Sequence, residues 1–444
     1  MKKYFLAIAS FFIYSHISLG QVYPGQMDST FVPVRSHHYD PELTFDFCVN
    51  EPAWSNQAGI HSAFGSTDRL YFRKEVPVNH DNDLSSSYST TVWRGERANA
   101  QILVWSSEAL EQVRVSTQDL RSAEGNIIPK DRITFELVRY VLSNYPYAEK
   151  KAICGESPYK SGFLMPDRFE TLDRFDLPSQ TTRPVWMMVD VPRGTVPGTY
   201  KGQVEVRAKG KAPQLLNLEI VVQNQLLPYP KDWKYRLDLW QNPWAVAWYN
   251  HVEPWSPEHK MLLKQHLKHY ADAGGTYITT YGVHSPWSDN SYMIEGGMIE
   301  WIKKADGTWA FDYKIFDEYV ELAMECGIDE AITLYTPIPW GFRHRYKDEA
   351  TGDYSYINWA PSSEEFKKMW NIFLTDFKFH LEAKSWLDIT YIGINENPME
   401  ETLAAINVVR NHDKCWKITY AGNWHKELDG LLDDYSFLYG EEPT

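Results

Sequence analysis

The sequence is poor in cysteine, in long apolar runs and in positive charge. Its four cysteines in 444 residues are too few and too scattered for a disulfide scaffold or a zinc site. Beyond the N-terminus no segment approaches about 18 consecutive apolar residues, so we expect no membrane insertion. The 44 basic and 59 acidic residues give a net charge of −15 at pH 7, which argues against a nucleic-acid partner. We expect no metal and no cofactor.

Residues 1–20 have the three parts of an export signal. Two lysines give a basic start, residues 4–14 are apolar but too short to cross a bilayer, and small residues end the segment at Gly20. We expect cleavage before Gln21 and a mature protein that is periplasmic or extracellular.

Aromatic residues are abundant, with 18 Trp and 28 Tyr. Most of them are expected to pack in the core. Rings at loop tips can also stack on the C–H face of a pyranose, because an aromatic π-face suits such groups. The composition therefore makes a carbohydrate ligand worth considering.

Residues 21–230 are predicted to form an antiparallel β-sandwich. Short alternating runs lie at 98–104, 113–116, 185–191, 200–206 and 216–222, separated by Gly/Pro turns. This region shows no catalytic pattern, so we interpret it as a scaffold or sugar-binding domain.

Residues 231–444 change pattern after a Pro-rich junction at 227–232. Strands and helices alternate, with strands starting near residues 237, 277, 331, 389, 417 and 435. Such alternation favours a (β/α)8-type barrel, although an open sheet is an alternative. A full barrel needs eight strands, so the barrel is predicted to be incomplete at the C-terminus, truncated after about strand six. A missing C-terminal segment or a partner chain would then cover the open edge.

Candidate substrate-binding residues follow the predicted strands, because reactive groups of a parallel barrel lie at the carboxyl ends of its strands. For Trp340 the alternative is that the ring packs on its own Pro-rich loop. The candidates are Trp240, Gln241, Tyr281, Trp340, Tyr420 and Trp424.

One predicted strand ends in a carboxylate beside an amide. Asn395 alternates with Ile392 and Ile394 in a way that points it into the barrel mouth, and Pro398 ends the strand just after Glu396. A carboxyl group there could protonate a glycosidic oxygen as a general acid. The alternative is that Glu396 only stabilises the N-terminus of the following helix.

The segment 391–399, Tyr-Ile-Gly-Ile-Asn-Glu-Asn-Pro-Met, resembles glycoside hydrolase family 123, the retaining β-N-acetylgalactosaminidases. The resemblance covers most of the mature chain, including residues 191–200 of the predicted sandwich. It implies that Glu396 is the acid/base and that Asn395 occupies the position of an Asp that orients the substrate's 2-acetamido group. The acetamido oxygen then attacks the anomeric carbon. Asn is neutral, so charge stabilisation would be weaker than with Asp.

Two other interpretations stay open. The Asn-Glu pair also resembles retaining glycosidases that use a second carboxylate on a seventh strand, which is not found here. Alternatively, the chain is a non-catalytic glycan-binding protein with a degenerate hydrolase site. The exact sugar, the linkage and the oligomeric state do not follow from the sequence.

Export gives the first testable prediction. N-terminal sequencing of the protein secreted by an expressing bacterium should start at Gln21, because the small residues before it fit a signal peptidase. A secreted chain that still begins at Met1 contradicts this prediction.

Overall fold

The structure is a computed structural model that describes residues 51–78, 84–143, 163–287, 296–437 and 440. The predicted signal, residues 1–20, lies outside these ranges. The chain divides into two compact units, Met1–Leu227 and Pro228–Thr444. The division falls within the Pro-rich junction noted above. We describe each unit by itself.

The first unit is built from strands, preceded by one short helix, α1 (Glu51–Trp54). Alternating burial along most strands puts one face of each strand in the core, as in β12, where every second residue from Leu216 to Val222 is buried. Its strands are β1 (His61–Gly65), β2 (Ser87–Arg94), β3 (Arg97–Ser106), β4 (Leu110–Thr117), β5 (Leu120–Arg121), β6 (Ile127–Ile128), β7 (Ile133–Ser143), β8 (Phe163–Thr171), β9 (Phe175–Leu177), β10 (Thr181–Asp190), β11 (Gly198–Arg207) and β12 (Gln214–Leu226).

Two sheets pack around one apolar core in this unit. One has the strand order β1-β3-β10-β7-β8 and the other runs β2-β12-β11-β4-β9, with β5 and β6 attached at β11. Ile102 and Val185 of the first sheet and Val204 and Ile220 of the second share this core. The pairings are antiparallel except for β2 with β12. This is the arrangement of a β-sandwich.

The second unit alternates helices and strands. None of the helices in the described ranges has both the length and the apolar composition needed to cross a membrane. Its helices are α2 (Pro243–Asn250), α3 (Pro257–Asp272), α4 (Lys314–Glu325), α5 (Glu364–Lys384) and α6 (Met399–His412). Its strands are β13 (Tyr277–Tyr281), β14 (Glu300–Lys303), β15 (Trp309–Asp312), β16 (Ala331–Tyr335), β17 (Arg343–Asp348), β18 (Tyr354–Asn358), β19 (Thr390–Ile394), β20 (Lys417–Ala421) and β21 (Asp434–Ser436).

A five-stranded parallel sheet, β13-β16-β19-β20-β21, forms the centre of this unit. Two helices of this unit, α3 and α5, start at side-chain caps: Ser256 accepts from the His259 N–H, and Ser363 from the Phe366 N–H. Ile332, Ile392 and other apolar residues on one sheet face join the helix residues in one core. The carboxyl ends of the strands consequently share one edge.

The predicted (β/α)8-type barrel is not confirmed. The described residues of this unit contain five parallel strands, five helices and a single parallel bridge between Leu237 and Gly275. Parallel pairing is therefore found at all six predicted strand positions, although at the first it is limited to the Leu237–Gly275 bridge. Closing such a barrel requires eight strands.

A second, four-stranded sheet was not predicted. The connections after β13 and after β16 each contain a hairpin, β14–β15 and β17–β18, and parallel pairing of β14 with β17 joins them. Because both hairpins follow carboxyl ends of parallel strands, they belong to the side of the sheet where Glu396 lies.

The core between α5 and the hairpins gives a stability prediction. Phe373 is fully buried and stacks on Trp301, with ring centroids 4.8 Å apart. Phe373→Ala should lower the free energy of unfolding by about 3–5 kcal/mol, because the cavity cannot fully collapse. Thermal and denaturant unfolding measure the change.

Phe379 provides a matched control on the same helix. It is 69% exposed, so Phe379→Ala should change stability by no more than about 0.5 kcal/mol. Equal effects of the two substitutions would contradict the packing described here.

Candidate active site

The side chain of Asn395 is held at the carboxyl end of β19. Asn395 is 2% exposed, and its Oδ1 accepts a hydrogen bond from Thr336 Oγ1 at 3.0 Å. Asn397 Nδ2 lies 3.4 Å from the same oxygen and donates to the Ile338 carbonyl at 3.0 Å. These contacts join the connection after β16 to the connection after β19.

In this orientation the Asn395 amide keeps one unpaired hydrogen-bond donor, its Nδ2 group. Its Nδ2 is buried and has no hydrogen-bond partner among the described residues. Turning the amide over would bring Nδ2 against the Asn397 amino group, so two donors would face each other. The orientation with Oδ1 on Thr336 is thus the one that the neighbours favour.

Glu396 is exposed next to this amide. Its Oε1 accepts from the backbone N–H of Asn423 at 3.2 Å, in the connection after β20. Its Cγ passes close to Gly422, where a Cβ would lie only 2.6 Å away. Gly422 therefore gives Glu396 the space to lie across the ends of β19 and β20.

Tyr420 lies beside Glu396 but is fully buried. A Cβ on Gly422 would also lie 2.6 Å from the Tyr420 hydroxyl, so Tyr420 and Glu396 contact the same glycine. Burial, and secondly the charge of Glu396, raise the pKa of Tyr420 to about 12. The hydroxyl has no partner among the described residues. Tyr420 thus belongs to the wall of the site.

Aromatic rings form a cluster at the ends of β13 and β16. Trp240 stacks on Trp287 at 5.1 Å and contacts Tyr335 at 4.9 Å, while Tyr281 meets Trp287 edge-on at 5.5 Å. Trp240 is 46% exposed, whereas Tyr281 is 2% exposed. Of the two predicted sugar contacts here, Trp240 is the one that is accessible to a ligand.

Three other predicted contacts have different surroundings. The Gln241 side chain accepts from the Thr279 N–H at 2.8 Å and donates to backbone carbonyls, including that of Tyr277, so it pairs with the edge of β13. Trp340 is half-buried, and its indole N–H lacks a partner within the described chain. Trp424 is half-buried in the connection after β20. Their roles toward a substrate stay predictions.

The half-buried acid Asp238 lies at the edge of the sheet, next to the bridge between Leu237 and Gly275. Its Oδ1 is buried without a partner in the described ranges. Burial and, next, the charge of Asp434 raise the pKa of Asp238 to about 6. Asp238 was not among the candidate residues predicted from the sequence. The signal available at this position was its alternation with Arg236 and Trp240.

Side chains converge on one face of the sheet. The ring centroids of Tyr277 on β13 and Tyr391 on β19 lie 6.5 Å apart, although β16 separates the two strands, which in a flat sheet would lie about 10 Å apart. This approach indicates a concave face.

Besides Asp238, Trp287 and Thr336 also belong to the site and were not predicted from the sequence. Thr336 directly follows β16, so its position at a strand end was the available signal. Nothing in the pattern distinguishes its hydroxyl from those of other threonines.

An exposed carboxylate at the end of a parallel strand, beside an oriented amide and an aromatic cluster, is typical of a glycoside hydrolase. A family profile described as "Glycoside hydrolase 123, catalytic domain" matches residues 240–444, and one described as "Glycoside hydrolase 123 N-terminal domain" matches residues 64–208. The chain belongs to glycoside hydrolase family 123.

A solved structure supports this membership. It is a family 123 glycoside hydrolase from Clostridium perfringens, reported with details of glycolipid glycan hydrolysis. It is 25% identical, with a TM-score of 0.75, and the match covers 86% of this chain and 67% of that chain.

Other matched structures are much less similar to this chain. A human PapD-like domain has 12% identity and a TM-score of 0.20, covering 42% of this chain and 99% of its own. The periplasmic chaperone SfaE has 10% identity and a TM-score of 0.18, with coverage of 33% and 59%. The comparison with curated proteins finds no match.

Asp238 gives a pH-dependent stability prediction. Its raised pKa means that its contribution to stability is full below pH 4 and is lost as the pH rises through about 6. Asp238→Asn should therefore stabilise the protein at pH 7.5, by at most about 3 kcal/mol, and have little effect at pH 4. Thermal unfolding between pH 4 and pH 8 tests this.

Asp329→Asn is the control, because Asp329 is an exposed acid of the same unit. This control should show little change at any pH. A stabilisation by Asp238→Asn that does not vary with pH would argue against a buried charge at this position.

Proposed function

We propose that the chain hydrolyses β-linked N-acetylhexosaminides, with N-acetylgalactosamine the favoured sugar, by a substrate-assisted retaining mechanism. The observation that carries the proposal is the exposed Glu396 carboxylate, held by the Asn423 N–H next to the oriented Asn395 amide. Family membership and the glycolipid glycan hydrolysis described for the clostridial relative support it.

Glu396 acts as the acid/base in this proposal. It donates a proton to the glycosidic oxygen as the C–O bond breaks, while the substrate's acetamido oxygen attacks the anomeric carbon. Glu396 then takes a proton from water, which opens the cyclic intermediate. Two inversions at the anomeric carbon give net retention. The enzyme itself forms no covalent bond.

Asn395 weakens the charge stabilisation in this mechanism. The acetamido N–H acquires positive charge and needs an acceptor, but Asn395 Oδ1 is already occupied by Thr336. The unpartnered Nδ2 can instead donate to the acetamido oxygen, which holds the sugar but competes for the attacking lone pair. An Asp at position 395 would keep the bond from Thr336 on one oxygen and offer the other to the substrate.

The same donor favours a second candidate function, a glycan-binding protein without turnover. In that case Asn395 and Trp240 bind the sugar, and Glu396 contributes only to binding. Measurements of binding and of turnover on one preparation separate the two functions. We also propose that the protein is exported, as its first twenty residues predict.

Substitution of the acid/base tests the proposal. Glu396→Gln should lower the turnover of an unactivated β-N-acetylgalactosaminide by about 10²–10⁴-fold, because the leaving oxygen is no longer protonated. A glycoside with a good aryl leaving group should lose much less, since it departs with little protonation. Steady-state kinetics with both substrates measures the difference.

Glu400→Gln is a matched control. Glu400 is exposed on the first turn of α6, four residues further along the chain. It should leave both rates near those of the unsubstituted protein. Equal losses on the two substrates for Glu396→Gln would rule out a general-acid role.

Asn395→Asp tests the role of the amide. The substitution should raise kcat by about tenfold or more, since one preorganised electrostatic contact is worth up to about 10²–10³ in rate. Binding of N-acetylgalactosamine should change little. Asn423→Asp adds the same charge near Glu396 and should not raise kcat. If neither variant turns substrate over but both bind the sugar, the binding function is the correct one.

A further inference from the structure

Two arginines share one face of the β17–β18 hairpin. The Arg343 guanidinium lies 3.7 Å from the ring centroid of Tyr356, and that of Arg345 lies 4.2 Å from the ring of Tyr354. Their neighbour His344 is buried on the other face. Stacking on an aromatic ring fixes the plane of a guanidinium and leaves its N–H edge available.

Neither guanidinium is paired with a carboxylate in the part of the chain that the structure describes. Arginines elsewhere do form such pairs, including Arg97, Arg139 and Arg410. Arg345 Nε is moreover buried and has no hydrogen-bond partner within the described residues. A buried donor on a charged group is unfavourable unless a partner satisfies it. In a chain of net charge −15, two unpaired neighbouring arginines therefore indicate an external anion.

His284 lies within the field of both arginines. Burial, and secondly the charges of Arg345 and Arg343, lower the pKa of His284 to about 4. The imidazole is consequently neutral near pH 7, so it can hydrogen-bond a ligand without adding charge.

The three residues lie on the functional side of the sheet. His284 follows β13, and the arginines follow β16, as Glu396 follows β19. The backbone bond from the Trp340 N–H to the Pro286 carbonyl, at 2.9 Å, ties the first two connections together. An oligosaccharide bound at Glu396 can therefore extend toward this face.

We propose that Arg343 and Arg345 bind an anionic group, a sulfate ester or a carboxylate, on the glycan substrate. This inference rests on the proposed function, and it specifies acidic glycans as the class of substrate. Arginine suits both anions, because its N–H groups match their oxygens in bidentate pairs. The Tyr354 hydroxyl donates to Glu300 at 2.8 Å, which fixes the ring beneath Arg345.

Kinetics with matched substrates test the proposal. The sulfate arm compares an aryl β-N-acetylgalactosaminide with its 6-O-sulfated form. The carboxylate arm compares β-N-acetylgalactosaminyl-glucuronic acid with the corresponding glucose disaccharide. We expect kcat/KM to favour the anionic partner in at least one arm by about tenfold or more, and 0.5 M NaCl to reduce that preference. The arm that shows the preference identifies the anion.

The double variant Arg343→Gln/Arg345→Gln should remove the preference, while Arg345→Lys should keep part of it, because lysine retains the charge but not the planar fork. Lys367→Gln, which removes a charge from an exposed pair with Glu364 on α5, should leave the preference unchanged. Salt dependence of the unsubstituted protein tests the proposal even if the double variant does not fold.

Calorimetry with Glu396→Gln separates this proposal from the proposed function. Tighter binding of N-acetylgalactosamine 6-sulfate, or of the glucuronic acid disaccharide, than of the neutral sugars supports an anion site even without turnover. Hydrolysis of the neutral aryl glycoside with no anionic preference in kinetics or binding overturns the anion site and leaves the proposed function standing.

Discussion

The hydrogen bond from the Thr336 hydroxyl to Asn395 Oδ1 decides which polar atom lies free next to Glu396. Because the oxygen is taken, the free atom of the amide is the donor Nδ2. The bond also ties the end of β16 to the end of β19, the two strands that the β17–β18 hairpin and Glu396 follow. The chemistry of the site and its geometry thus depend on one side-chain contact between adjacent parallel strands.

Electrostatics on the concave sheet face adds a second constraint. After burial, the charge of Asp434 from the opposite edge of the sheet contributes to the raised pKa of Asp238. A buried carboxylate with an unpartnered oxygen destabilises the folded protein above pH 6. Such groups concentrate at functional sites, so Asp238 is a candidate contact for a sugar hydroxyl.

Sequence patterns predicted much of this fold because the alternation of apolar and polar residues is a local property of the chain. The alternation in β12 was visible without tertiary information, as were the starts of the six strand positions. The hairpins were missed for a physical reason: β17 alternates Arg with His and Tyr, so its buried face is not apolar in the usual sense. Their pairing also joins two connections that are far apart in the sequence.

The site could be predicted only in part, because several of its contacts join residues that are far apart in the sequence. Glu396 follows an apolar strand and precedes a proline, so its position at the end of a strand could be predicted from the sequence. The hydrogen-bond partner of Asn395 follows another strand, and the raised pKa of Asp238 depends in part on Asp434, almost two hundred residues later. Tyr281 and Tyr420 looked like ligand contacts because they end strands, whereas their burial depends on how the neighbouring elements pack over them.

The central claim is that the substrate's own acetamido oxygen is the nucleophile. A series of aryl β-N-acetylgalactosaminides with zero to three fluorine atoms on the acetyl group tests it most directly, because fluorine withdraws electrons from that oxygen. A substrate-assisted mechanism predicts that kcat/KM falls steeply with each added fluorine while the anomeric configuration is retained. A rate that does not change across the series would mean that the nucleophile belongs to the protein or to water, and would contradict this mechanism.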